Sequence, residues 1–444
     1  MEVAATPKYA ISLLPAESVS SLTSGLKVRS ETQFDELVLT VEKSDYRTLC
    51  ERLFAAGFDF PSSMTGVDME WGLGVVLHVQ QLESKRKVAV RTYLPYDAPT
   101  LPTVLRGLPS ERVRYRNALG ATILLLTFLI WMCAFGLSVW VSGLVAKLAL
   151  TTLTGAAIGV AFVIGHDACH GALTSNARFN RWGAWLAFLP ALHPPTSWDW
   201  GHNRMHHSWT NLRGRDYVYA PLTVVDWAAL TSFQRVLRRV YYTLPGIGLF
   251  YFIDIWWKHV VWLDRDELVQ LRSRRAHTAE LIALSTFLIA LCALVWNFGA
   301  WQSGGVEPRI SELVLCLVWP FYVWNWIMAF VTIQHHTHPR TRWFDRESEW
   351  SFFQAQVGGT VHMKFPRIVE LGFANIFEHT AHHVDKRTPL YNLPMVQRYL
   401  EKNYGDTVIV QQASLTHLRD VLKRCRLYDY RQCRWMDFDG RYTT

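Results

Sequence analysis

Residues 143–170 read GLVAKLALTTLTGAAIGVAFVIGHDACH. The stretch stays apolar for twenty-odd residues, enough at about 1.5 Å per residue to cross a hydrocarbon core of roughly 30 Å. It ends in Gly165-His166-Asp167-Ala168-Cys169-His170. Residues four apart share one face of a helix, so His166 and His170 point the same way at the end of a membrane span. Ionisable groups at that depth are costly and usually functional.

Three further runs, at 118–141, 279–301 and 311–333, match it in length and character. A few residues around Ser142 and Gly143 join the first pair, and Gln302 to Ile310 join the second, which predicts two transmembrane hairpins. Arg112, Arg114 and Arg116 precede the first span, and Arg272, Arg274 and Arg275 the third, with little positive charge between hairpin arms. That bias puts the N-terminal region, the middle segment and the C-terminus together on the cytoplasmic side of a multi-pass protein. The N-terminus lacks the basic-then-apolar pattern of a signal peptide, which agrees. Trp182 to Leu192 is too short to span. Leu244 to Val261 is broken by Pro245, Asp254 and Lys258. Both read as amphipathic helices in the interface, with a fifth span the alternative for the second. Arg424 to Arg434, which mixes Arg with Leu, Tyr and Trp, reads as a membrane-surface contact or a solvated tail.

The composition excludes simpler answers. The chain has 444 residues, 50% apolar, 14% aromatic and 18% charged, with 20 Trp and a mean hydropathy of +0.06. A disordered chain would be more charged and poorer in aromatics, and a protein built mostly of spans would lie well above zero. Net charge is +8, with a pI near 9.1. No nucleic-acid motif accompanies that charge, so it points to membrane or acidic partners and not to nucleic acid. None of the seven Cys forms a C-x-x-C pair, as expected of reduced thiols.

Residues 1–116 read as a separate soluble α+β domain. Glu36 to Val41, Val75 to Leu82 and Val88 to Leu94 are strand candidates, with Glu83 to Lys87 a polar connection. Ser44 to Ala56 is a helix candidate, with Ser44 as its cap, Leu49, Leu53 and Phe54 as its apolar stripe and Gly57 as its stop. Residues 117–444 form the second domain. The fold class is thus an α-helical membrane protein of four spans with a cytosolic His-rich helical cap, preceded by a small α+β domain.

Sixteen of the 17 His follow residue 165. Beyond His166 and His170, the sequence holds HNRMHH (His202, His206, His207), QHHTHP (His335, His336, His338) and HTAHH (His379, His382, His383). Eight or nine His exceed one tetrahedral site, which takes three or four, and suit two metals that favour imidazole. His193, His336, His362 and His417 are left outside the expected ligand set. Asp167, Asp199, Asp216, Glu378 and Asp385, with Asn375, are candidates to hold ligand His rings through their outer N–H groups. Trp198, Trp200, Trp324 and Trp326 are candidates to line an apolar tunnel, against plain interface or core packing.

HDACH, HNRMHH and HTAHH together resemble the three histidine boxes of the integral-membrane fatty-acid desaturase superfamily, over residues 118–430. QHHTHP, TNLRGRDYVYAPL and KRTPLYNLP resemble its methyl-end acyl-lipid branch. The resemblance implies a di-iron centre held by His166, His170, His202, His206, His207, His379, His382 and His383. His335 is the expected ninth ligand and His338 the alternative. It further implies O2 as co-substrate and a membrane lipid or acyl thioester as substrate. Two electrons would come from an external donor, ferredoxin or cytochrome b5, because the chain has no H-P-G-G signature, ferredoxin Cys set or dinucleotide fingerprint. The reaction expected is O2-dependent desaturation. A hydroxylase of fatty acids, alkanes or carotenoids on the same scaffold is the first alternative. A non-catalytic anchor that docks a respiratory complex is the second.

That second alternative arises because residues 26–105 resemble the 30 kDa subunit of NADH–quinone oxidoreductase. The likeness rests on element order, the TGVD segment (Thr65–Asp68) and the closing Pro102-Thr103-Val104. His78 is this region's only His, so a docking role is expected of it and not electron transfer.

Overall fold

The computed structural model describes residues 14–444 except 34–35, 70–71, 82–85, 96–100, 264–266, 269–270 and 272. Leu82 of an expected strand, part of the expected connection (Glu83 to Lys85) and Arg272 therefore lie outside the described residues. The chain divides into two compact units, Met1–Arg106 and Gly107–Thr444.

The first unit contains α1 (Ala16–Thr23), β1 (Val28–Gln33), β2 (Glu36–Val41), α2 (Lys43–Ala55), β3 (Phe60–Met69), β4 (Gly72–Gln81) and β5 (Arg86–Pro95). Its strands form one sheet in the order β1-β2-β5-β4-β3, with β2 and β5 parallel and the other neighbours antiparallel. Alternation sends Leu37, Leu39 and Val41 with Val88 and Val90 into a core closed by Leu49 and Leu53 of α2. Two expectations fail here. Glu42 occupies the N-cap with no side-chain cap bond, because the helix starts at Lys43 and leaves Ser44 inside it. Phe54 is 67% exposed, since one residue of helical rotation past Leu53 turns it to solvent. The sequence reading also missed β1 and β3. They are the sheet edges, and β1 (VRSETQ) has no apolar alternation to betray it.

In the second unit, four helices among the described residues are long and apolar enough to cross a membrane: α3 (Asn117–Trp140), α4 (Leu144–Cys169), α6 (Arg274–Phe298) and α7 (Val306–His336). All four expected spans are thus helical, and each of the last three runs some residues past its apolar segment into the polar flank. Between them lies α5 (Ala177–Phe188), whose Asn176 cap accepts from the N–H groups of Arg178 and Phe179. The 244–261 stretch is helical as Ile247–Phe250 followed by a π-wound turn, Tyr251–Val261.

Helix α4 is the hub, packed on α3, α5 and α7. Its approach to α7 depends on Gly155 and Gly159, which stand four apart. A Cβ on Gly155 would lie 2.6 Å from the Val323 side chain and 2.7 Å from the Pro320 carbonyl. Small residues at this spacing let membrane helices meet backbone to backbone. At the end of α4 away from its His pair, Lys147 Nζ donates to Ser138 O and to Glu312 Oε1, each at 2.8 Å, with both charged side chains fully buried.

The C-terminal end is not a solvated tail. Cys425, Leu427, Tyr428 and Trp435 are fully buried, and Trp435 Nε1 donates to His338 O at 2.9 Å. Leu427, Met436 and Phe438 pack with Trp227 in one apolar cluster.

Candidate metal centre

Each histidine box has its own backbone device. His166 and His170 end α4, where Gly165 leaves room for the Phe188 ring, only 2.5 Å from where a Cβ would stand. The second box lies on Pro195–Trp198, a π-wound stretch Asp199–His206, and His207–Trp209. The wider π turn changes the phase assumed from sequence: His202 meets His207, five residues on, at 3.2 Å between Nε2 atoms, while His206 turns elsewhere. The third box forms α8 (His379–Val384), entered through left-handed Ala374 and Asn375 (φ 51° and 59°) and tied to α9 (Leu393–Tyr404) where Gln397 Oε1 accepts from Ala381 N at 3.0 Å.

These elements bring the rings together in two clusters. His166, His170, His202, His207 and His382 present ring nitrogens that all lie within 4.8 Å of one another, and so do His206, His336 and His383. His379 Nε2 lies 2.9 Å from His336 Nε2, which adds it to the second cluster. His336, set aside in the sequence reading, is therefore one of the converging rings. His335 stacks on the His379 ring at 3.9 Å between centroids, and neither of its nitrogens has a hydrogen-bond partner. His338 lies apart; its Nδ1 accepts from Arg340 N at 3.1 Å.

The spacing tests whether these donors fit metal. The Nε2 atoms of His166, His202, His207 and His382 form a chain with successive separations of 3.0, 3.2 and 3.1 Å. A ring nitrogen offers one proton or one in-plane lone pair, so at most two of the three contacts can be good hydrogen bonds. The rest would be buried, unpaired polar contacts. A cation resolves the conflict: with metal–nitrogen bonds of about 2.1 Å, adjacent corners of an octahedron stand about 3.0 Å apart. Burial, reinforced by neighbouring rings, holds His170, His202, His207, His379, His382 and His383 well below the usual imidazole pKa. They are thus neutral, the form that binds metal.

Outer hydrogen bonds aim the rings. Asp216 Oδ1 accepts from His206 Nδ1 at 2.8 Å, and Gln356 Oε1 from His383 Nδ1 at 2.7 Å. Asn203 Oδ1 accepts from His170 Nδ1 at 3.2 Å and from Lys386 Nζ, while Asn203 Nδ2 donates to Asp199 Oδ1 at 2.9 Å. Each such bond leaves Nε2 facing the cluster. Of the sequence candidates, Asp216 touches a cluster ring directly and Asp199 acts through Asn203. The other four do different work. Asp167 Oδ2 accepts from Leu390 N, Asn375 bridges Arg367 and Leu390, Glu378 lies 3.0 Å from His362, and Asp385 binds Arg112 and Arg387. Gln356 and Asn203 were missed. Asn203 could have been found inside HNRMHH, whereas Gln356 stands in no motif.

Trp198 stacks on His202 at 4.6 Å and lines a narrow pocket of about 70 Å³ beside both clusters. Phe162, Val163, Ile255, Met328, Val331 and Ile376 are its apolar walls. The other three Trp lie off this pocket: Trp200 packs with Leu263 and Leu271, Trp326 stacks on Phe330, and Trp324 is buried behind the wall.

The family model for fatty acid desaturase matches residues 138–414, and that for the 30 kDa subunit of respiratory-chain NADH dehydrogenase matches residues 39–118. The chain is similar to the chloroplastic omega-6 fatty acid desaturase of Spinacia oleracea, 28% identical over 62% of this chain and 58% of that one. It is 29% identical to the sn-1 oleoyl-lipid 12-desaturase of Synechocystis sp. over 62% of this chain and 74% of that one. Against the sn-1 oleoyl-lipid 12-desaturase of Anabaena variabilis the identity is 24%, over 74% and 89%. The chain thus spans under two thirds of the length of the plant relatives it matches. A family match over more than half the sequence, coinciding with two clusters of histidines beside an apolar pocket, leaves one conclusion: this chain belongs to the fatty acid desaturase family.

Proposed function

We propose that the chain is a membrane di-iron acyl-lipid desaturase that places a cis double bond in an acyl chain. The observation that carries the reading is the pair of His clusters opening onto an apolar pocket. His166, His170, His202, His207 and His382 would hold one iron, and His206, His336, His379 and His383 the other. Bound iron supplies the redox chemistry that couples O2 to oxidation of an unactivated C–H bond. In sum, –CH2–CH2–, O2, two electrons and two protons give –CH=CH– and two waters.

The chain's own residues do the rest. Phe162, Val163, Ile255, Met328 and Val331 seat the acyl chain and keep water from the reacting carbons. Trp198 fixes the plane of His202 by stacking, while Asp216, Gln356 and Asn203 hold the protons on the outer nitrogens of His206, His383 and His170. The spans form two hairpins, with the His-bearing cap, the first unit and the C-terminus in the cytoplasm, where a ferredoxin or cytochrome b5 delivers electrons. The substrate is an acyl chain carried by a membrane lipid or a thioester; the oleoyl-lipid names of the cyanobacterial relatives favour the lipid.

Expression in a host of known fatty-acid profile, followed by analysis of fatty-acid methyl esters, tests the reading. New double bonds that vanish with His202→Ala are expected. Hydroxy acids, or no change in the acyl profile, would refute it.

A further inference from the structure

A second, larger cavity of about 500 Å³ lies among the spans, lined by Trp131 of α3, Ile158 of α4, Leu288 and Cys292 of α6, and Phe321 of α7. Three structural segments run from this cavity to the site pocket. On α4, Ile158 lines the cavity and Phe162, one turn on, lines the pocket. On the 251–261 turn, Phe252 and Trp256 face the cavity while Tyr251 and Ile255 face the pocket. On α7, Phe321 faces the cavity and Met328 the pocket, with Trp324 between them.

Trp324 is fully buried and lines neither space. Its ring lies 5.8 Å from Phe162 and 5.7 Å from Tyr251 on the pocket side, and 5.0 Å from Phe321 on the cavity side. Its Nε1–H has no hydrogen-bond partner. A buried, unpaired donor is a cost that a purely apolar filler would avoid. What the indole adds is bulk between the two spaces.

We propose that Trp324 is the specificity-determining partition between site pocket and intramembrane cavity, and that it sets how many carbons fit beyond the reacting methylenes. This rests on the desaturase reading. An acyl chain seated against the clusters ends at the indole, and removing the ring joins the two volumes so that a longer segment can pass.

The test compares full-length wild type, Trp324→Phe and Trp324→Ala in a host supplying acyl chains of mixed length, with double bonds located in the products. Rejection of one extra methylene by a closed apolar pocket is worth roughly tenfold or more. Trp324→Ala is expected to lose that discrimination and to yield products at least two carbons longer beyond the double bond, while Trp324→Phe stays near wild type. An iron-loaded Trp324→Ala with wild-type product lengths and positions overturns the proposal. Trp324→Leu takes its place should the Ala variant fail to hold iron. Absence of any desaturation by wild type refutes the function and not the partition. The partition is then read without turnover, using a fatty acid with a photoreactive diazirine at its methyl end. Cross-links are expected to stop at Met328 and Val331 in wild type and to reach Leu317 and Phe321 in Trp324→Ala. The same cross-link map in both proteins overturns it.

Discussion

Adjacent residues on one helix, His335 and His336, carry opposite expectations once their surroundings are known. His336 Nε2 faces His379 Nε2 at 2.9 Å among converging ring nitrogens, whereas His335 lies flat on the His379 ring with both nitrogens unpartnered. His336→Ala should therefore lower bound iron from two per chain toward one and abolish turnover. His335→Ala should retain both irons, with turnover reduced only through looser packing of His379. Iron content of anaerobically handled protein checks both; the reverse pattern would hand the ninth position to His335. The sequence made eight of the nine rings legible because box spacing is a property of single helices. It put the ninth at His335 and set His336 aside, because QHHTHP offers three His in four positions and only the direction of each ring, set by where α7 ends, separates them. The same limit hid the pairing of His202 with His207, because π winding leaves no mark in residue spacing.

At the scale of elements, the four spans were readable because membrane crossing needs only length and apolarity, both local. What joins the spans was not. Lys147 sits alone in an apolar run, and its partner Glu312 lies 165 positions later. Lys147→Met should strand Glu312 in a site with no solvent and destabilise the protein by about 3–5 kcal/mol. The double change Lys147→Met with Glu312→Leu should recover most of that loss, because the desolvation of both charges disappears with them. Thermal unfolding of the set in detergent completes the cycle; additive losses would show that the pair does not tie α4 to α7. A second tie joins box three to the segment preceding α3: Asp385 Oδ2 accepts from Arg112 at 2.9 Å, and Asp385 also binds Arg387. Burial pushes the Asp385 carboxyl up, but Arg387 and Arg112 outweigh it and hold it below its ordinary 3.8. A depressed folded-state value means stability that is present above 3.8 and lost as pH falls through the folded value. Asp385→Asn should thus be less stable than wild type by about 3 kcal/mol at neutral pH. The gap should hold as acid is added and close only below pH 3.8, which parallel melts across pH would show.

At the scale of the whole molecule, the two units have unlike chemistry. The first has its own apolar core of Leu37, Leu39, Leu49, Leu53, Val88 and Val90, and the described groups of metal-binding side chains all lie in the second. His78 and Cys50 are the first unit's only His and Cys. Its match to a respiratory-chain protein family makes docking of another protein the role to test. A tethered docking unit acts by raising the local concentration of its partner, an effect that reaches 10²–10⁴ for linked modules. Removing residues 1–105 should leave the iron content unchanged, since no cluster residue is lost. Turnover with the natural protein donor should fall by roughly tenfold or more, recoverable at high donor concentration, as expected when effective concentration alone is lost. Turnover driven by a small-molecule reductant should not change, because such a donor needs no docking surface. Equal loss with both donors would mean that the first unit supports the fold of the second, and no loss with either would remove electron-donor docking from its roles.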